Sequence, residues 1–272
     1  MPIIHAIILG LIQGLTEFLP ISSSGHLAVV PQLLGWEELS PSVEKTFDVA
    51  LHAGTLIGAV AYLNKDVRRI VLSLWNGLRT RKMDDYAKLG LLLVVTSIPG
   101  ALLGALLEET ISEHLGKPAL IASMLIIFGL LLFVCDRIQG DRNDTSFSIK
   151  DAVVAGASQA LALQPGVSRS GITMTALRLR GFSRESSARL SFLMLIPIVA
   201  GAALFTGTKT IAGEGIPSSL VIPMIVGVIV SAVTGWIAVY GLLKIVRTRS
   251  FTGFVIYRVA AGLGIFLWLF VN

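Results

Sequence analysis

Six apolar runs, near Phe47–Leu63, Leu89–Leu107, Ala119–Cys135, Leu190–Thr206, Leu220–Leu243 and Phe254–Val271, recur along this chain. A bilayer core is about 30 Å thick, so a crossing helix needs roughly 20 such residues. Within lipid every backbone N–H and C=O must be paired inside the protein, which leaves helices as the reading for runs of this length. Only 14% of the 272 residues are charged, against about 25% in a soluble domain. The sequence therefore predicts an all-α polytopic membrane protein, with no separate soluble domain between residues 1 and 272.

Sidedness follows from the segments between the runs. Lys65, Arg68, Arg69, Arg79, Arg81, Lys82 and Lys88 crowd residues 64–88, whereas Glu37, Glu38, Glu44, Glu108, Glu109 and Glu113 mark the segments on either side of that hairpin. Lys and Arg collect in cytoplasmic loops. Cytoplasmic loops are expected at about 64–88, 136–151, 178–189 and 244–252 of a multi-pass cell-membrane protein. The net charge of +5 needs no nucleic acid to explain it, and no nucleic-acid motif is present. The one cysteine, Cys135, excludes an internal disulfide and a cysteine metal cluster. The first apolar stretch lacks a basic start and holds Glu17 and His26, unlike a signal peptide.

Two further apolar stretches are interrupted by polar residues. Residues 152–177 are flanked on both sides by predicted cytoplasmic segments and are too few for two crossings, so a re-entrant helix hairpin turning at 164–171 is expected. Residues 3–35 break at 20–25 and are read as a second hairpin, entering from outside. Shifted by 146 positions, Ala6, Gly10, Gln13, Ser22, Ser24 and Gly25 fall on Ala152, Gly156, Gln159, Ser168, Ser170 and Gly171. The expected architecture is two inverted repeats, about 1–140 and 148–272, each a hairpin plus three transmembrane helices.

A charge inside a bilayer points to function. Gln13 and Glu17 share a helix face, and Ser22, Ser23, Ser24 and Gly25 open the next helix. Serines cap a helix start, and free N–H groups there attract phosphate. Ser168, Ser170 and Gly171 repeat that construction and add Arg169, whose planar fork matches phosphate oxygens. Both loops read as anion cradles. Glu17 is read as a holder of Mg²⁺ or an activator of water, and Ser23 or His26 as a nucleophile. Asp48 and His52 are read mainly as a pair snorkelling to the outer interface.

The stretches QGLTEFLPISSSGH (13–26) and LALQPGVSRSG (161–171) resemble the signature regions of undecaprenyl-diphosphate phosphatases of the bacitracin-resistance type. FDVALHAGTLIGAVAYL (47–63) and FTGFVIYRVAAG (251–262) extend the resemblance over nearly the whole chain. It implies a membrane phosphatase that converts undecaprenyl diphosphate to the monophosphate and inorganic phosphate, recycling the carrier for cell-wall glycans. It implies dependence on a divalent metal, Mg²⁺ or another such as Ca²⁺, which is assigned to Glu17 together with the substrate. It makes Glu17, Ser23, His26 and Arg169 catalytic. The anion-cradle reading adds Gln13, Ser22, Ser24, Gly25, Ser168, Ser170 and Gly171 as substrate-binding. Gln13 is a Gln where the pattern allows Glu or Gln, which weakens any two-carboxylate metal scheme. A lipid-phosphate flippase or anion transporter of the same architecture is the alternative. Membrane lipids are the expected surroundings, and a homo-oligomer is left open.

Overall fold

The computed structural model describes residues 1–36, 40–107, 115–212 and 216–271. Glu37, Glu38, Glu108, Glu109 and Glu113, on which the outer loops were predicted, lie outside the described residues. The described chain forms eleven α-helices: α1 Ile3–Phe18, α2 Ser23–Leu33, α3 Pro41–Tyr62, α4 Asn64–Thr80, α5 Asp85–Leu106, α6 Pro118–Asp136, α7 Ile149–Ala160, α8 Arg169–Leu179, α9 Arg184–Ala212, α10 Ser218–Val246 and α11 Thr252–Val271. Each predicted apolar run lies on one of α3, α5, α6, α9, α10 and α11. Five of these are long and apolar enough to cross a membrane alone, with mean hydropathy from 2.1 to 2.6. The sixth, α3, meets that standard only together with α4, from which it is bent by 86°.

Local chemistry sets the helix ends. Pro41 and Pro118 sit in the first turns of α3 and α6, where a missing N–H costs nothing. Asp84 accepts the Ala87 N–H at 2.8 Å to start α5. Ser148 and Asp151 form a reciprocal capping box at the start of α7.

The expectation of a loop across residues 64–88 is corrected: residues 64–80 are helix α4. Ile70, Leu74 and Gly77 recur on one face of it, and Ile70 and Leu74 press on Gly90 of α5. The density of cations hid this amphipathic period.

At 16 and 11 residues, α1 and α2 are about 24 and 16 Å long, too short to cross. His5 and Trp36 stack with ring centroids 3.7 Å apart, so the two ends of the first hairpin meet. The ends of the second meet as well, where Arg180 Nε donates to Asp151 Oδ1 at 2.7 Å. Both segments turn back on themselves.

Packing between the halves is reciprocal. Helix α1 lies along α10, and α7 lies along α5; α3 meets α9, and α6 meets α11. Small residues allow the close approach of α1 to α10. A Cβ on Gly10 would come within 2.9 Å of the Gly227 carbonyl oxygen, so the backbones touch there. Helix α9 runs through the main core, with Leu190, Phe192, Leu193, Met194 and Leu195 all buried.

Candidate active site

The break between α1 and α2 and the break between α7 and α8 adopt the same backbone. Ser22 and Ser168 have φ of 75° and 72°, a left-handed region that side chains rarely enter. Each is the N-cap of its following helix: Ser22 Oγ accepts the Gly25 N–H at 3.3 Å, and Ser168 Oγ accepts the Gly171 N–H at 3.1 Å. Ser24 and Ser170 lie beside them, 3.5 and 3.2 Å away between hydroxyl oxygens. The cap takes one N–H of each first turn, and a helix start has further N–H groups without an intrahelical partner.

The two breaks bond to each other. The Gly166 N–H donates to Ser22 Oγ at 3.0 Å, and Ser170 Oγ donates to the Leu19 carbonyl at 3.0 Å. The last turn of α1 carries Glu17 beside this junction, and its two carboxylate oxygens are shared out. Glu17 Oε1 accepts Arg169 Nε at 3.3 Å and Nη2 at 3.2 Å. Glu17 Oε2 accepts Ser23 Oγ at 2.5 Å and Gln13 Nε2 at 3.2 Å. The third bond of Arg169 goes from Nη1 to the Ser191 carbonyl at 2.8 Å. A guanidinium has five N–H donors, so two are uncommitted. Gln13, Glu17 and Ser23 are buried, and the Arg169 side chain is 12% exposed.

The fold therefore joins Gln13, Glu17, Ser23 and Arg169 directly, and stacks Ser22, Ser24, Gly25, Ser168, Ser170 and Gly171 around the junction. It does not bond His26 to Gln13, Glu17, Ser23 or Arg169. His26 Nδ1 faces the Ser22 carbonyl at 2.7 Å, and Nε2 faces the Tyr257 hydroxyl at 2.7 Å. A carbonyl only accepts, so Nδ1 carries hydrogen, and in the neutral ring Nε2 accepts from Tyr257.

Two site residues were missed from sequence. His52, read mainly as an interfacial residue, instead points Nε2 at Glu17 Oε2, 3.5 Å away, with Nδ1 held 2.8 Å from the Asp48 carbonyl. Its one-turn spacing from Asp48 was visible in the sequence, but not its turn toward Glu17. Arg258 is fully buried. It donates to the carbonyls of Leu125 at 3.0 Å, Pro20 at 3.3 Å, Met124 at 3.3 Å, Gly166 at 2.9 Å and Val167 at 3.0 Å. It thus ties both turns to α6. It is the one charge in residues 254–271, the signal that would have found it.

Among the described residues no three His, Cys, Asp or Glu side chains cluster as metal ligands. A divalent cation fits the site in a leaner way. Among the described residues Gln13 Oε1 is buried with no hydrogen-bond partner. Its Nε2 must face Glu17, since the reverse orientation would oppose two acceptors. An orphaned amide oxygen beside a carboxylate is a fragment of a hard-cation site. One open cavity of about 590 Å³ lies elsewhere, lined by Asp136, Arg178, Arg184 and Arg247 and by none of these site residues.

Fold and site together define a polytopic membrane protein with a buried polar centre, built where two broken helices meet. The sequence model of the family described as bacitracin resistance protein BacA matches residues 6–264. The chain belongs to that family. It is 47% identical to an undecaprenyl-diphosphatase of Trichlorobacter lovleyi, over 100% of this chain and 99% of the relative. It is 44% identical to one of Geobacter metallireducens over 98% of both chains. It is 40% identical to undecaprenyl-diphosphatase 1 of Pseudoalteromonas translucida over 99% of both.

Proposed function

We propose that this chain is a membrane-embedded hydrolase that cleaves undecaprenyl diphosphate to undecaprenyl phosphate and inorganic phosphate. Full-length similarity to undecaprenyl-diphosphatases supports the substrate. The observation that carries the site assignment is Glu17 bonded at once to Ser23 and to Arg169, from opposite hairpins.

Ser23 is the nucleophile in this reading. Its hydroxyl already donates to Glu17 Oε2, so the carboxylate can take the proton as Oγ bonds to the terminal phosphorus. The bridging P–O bond breaks, and its electron pair leaves on the monophosphate of the lipid, which takes up that proton. Water then cleaves the Oγ–P bond and releases inorganic phosphate. His26, turned toward Tyr257, supports the first turn in this scheme rather than attacking. Arg169 uses its two uncommitted N–H groups on the transferred phosphoryl oxygens, where charge builds up. The free N–H groups at the starts of α2 and α8, with Ser24 and Ser170 beside them, hold the remaining phosphate.

Gln13 Oε1 and Glu17 would hold a Mg²⁺ or Ca²⁺ together with diphosphate oxygens, since one or two protein oxygens are usual for Mg²⁺. The ion would neutralise charge on the diphosphate.

The cell membrane is the location. The segments 64–88, 136–151, 178–189 and 244–252 form one cytoplasmic face in this reading. Bonds among them support it: Arg189 pairs with Asp66 and Asp144, Arg184 with Asp136, and the Phe251 N–H donates to Asp136 Oδ2 at 3.0 Å. Two inverted repeats, 1–140 and 148–272, account for the matching turns and reciprocal packing.

The test is phosphate release from undecaprenyl diphosphate by purified protein, for the native chain and for Ser23→Ala and Glu17→Ala. Release by the native chain and loss in both variants is expected. No release by folded native protein would sink the assignment.

A further inference from the structure

Helix α4 has three faces. Ile70, Leu74 and Gly77 turn inward, Ile70 and Leu74 onto α5. Val71, Trp75 and Leu78, spaced i, i+4 and i+7, form a second stripe that is 56%, 66% and 68% exposed. Lys65, Arg68 and Arg79 lie on the third face, and Arg81 and Lys82 follow the helix end.

The charge on this helix is unbalanced. Residues 64–82 contain six cations and one carboxylate, Asp66. Asp66 is already paired with Arg189 of α9. Arg69 lies over the Tyr86 ring, 3.8 Å from its centroid. Among the described residues, no carboxylate pairs with Lys65, Arg68, Arg79, Arg81 or Lys82.

Orientation adds the second constraint. Helix α4 leaves α3 at 86°, so it runs across the direction of a crossing helix. A helix lying flat at the boundary, with an apolar stripe containing Trp beside a basic stripe, has the make-up of an interfacial anchor. The apolar stripe reaches acyl chains while the adjoining cations stay at headgroup depth.

We propose that α4 lies along the membrane–water boundary and recruits anionic phospholipid from the leaflet around it, with Val71, Trp75 and Leu78 in the acyl layer and Lys65, Arg68 and Arg79 on the headgroup phosphates. A zwitterionic headgroup brings its own ammonium and leaves these cations uncompensated. This inference is independent of the phosphatase reading, since none of its residues touches Glu17 or Ser23.

Trp75 serves as the probe, one of four tryptophans, so its signal is taken as the difference between the native chain and Trp75→Phe. Full-length protein is placed in phosphatidylcholine vesicles carrying a small fraction of either brominated phosphatidylglycerol or brominated phosphatidylcholine. Both should quench Trp75, with phosphatidylglycerol effective at roughly tenfold lower mole fraction in low salt. In Lys65→Gln/Arg68→Gln/Arg79→Gln that preference should vanish while quenching by brominated phosphatidylcholine persists. Monodisperse elution checks that the variant is folded. Should that variant aggregate, loss of the preference in high salt on the native chain tests the same point. Equal quenching of the native chain by the two lipids in low salt would overturn anionic recruitment. No quenching of Trp75 by either would overturn the boundary placement, as expected if a protein partner or second copy covered the stripe.

Discussion

Ser22 Oγ accepts a hydrogen bond from the Gly166 N–H at 3.0 Å, although the two residues are 144 positions apart. The same oxygen caps α2 by accepting the Gly25 N–H. One hydroxyl therefore fixes its own helix start and the turn of the opposite hairpin. Ser22→Ala leaves two buried N–H groups without that partner. An unsatisfied buried donor costs about 1–3 kcal/mol. Thermal unfolding in detergent should show a lower midpoint for Ser22→Ala than for Ser24→Ala, because Ser24 caps nothing across the junction.

Arg169→Lys keeps the positive charge but cannot bond Glu17 and the Ser191 carbonyl with one planar fork. We expect phosphate release to fall by about 10²-fold or more, the scale seen when one charge-stabilising donor is lost. Binding of a non-hydrolysable diphosphate should weaken far less. A rate within threefold of native would remove Arg169 from transition-state stabilisation.

Chelation tests the cation. EDTA should stop phosphate release, and Mg²⁺ or Ca²⁺ should restore it. Gln13→Ala removes the orphaned amide oxygen and should raise the cation concentration for half-activity by about tenfold or more. Full turnover in excess chelator would exclude the ion from the reaction.

The basic face should be acid-sensitive. Burial raises the Asp151 carboxyl, but bonds from Arg142, Ser148 and Arg180 outweigh it and hold the group below the usual carboxylate range. A carboxyl depressed by folding adds stability above its unfolded value, near pH 4, and that contribution is lost as pH falls from there toward the depressed folded value. Asp151→Asn should unfold at lower temperature than native at pH 7, with the gap closing as pH drops below about 4. A constant gap would show that the charge contributes nothing.

Sidedness can be read from introduced thiols, because the native Cys135 is buried. In intact cells an impermeant maleimide should label Ser40→Cys and spare Thr80→Cys until the membrane is opened. The opposite pattern would invert the topology.

Much of this molecule was legible in the sequence because lipid narrows the choices. Apolar length alone located the six long helices among the described residues, since a buried backbone in lipid has few other ways to pair its polar groups. Polar interruptions located both broken hairpins, and charge in an apolar run singled out Glu17 and Arg169. Helix α4 escaped because four cations crowd it and mask the period of the residues that face inward. Tertiary structure alone decided which polar groups meet. Glu17 and Arg169 are 152 positions apart, and their bond exists only because α1 and α8 end at one junction. His52 faces Glu17 because close contact of α3 with α10 and α9 fixes the rotation of α3, which spacing from Asp48 does not reveal. Arg258 holds both turns through five carbonyls contributed by three separate segments. Backbone carbonyls carry no residue identity, so no pattern of letters could name them as its partners.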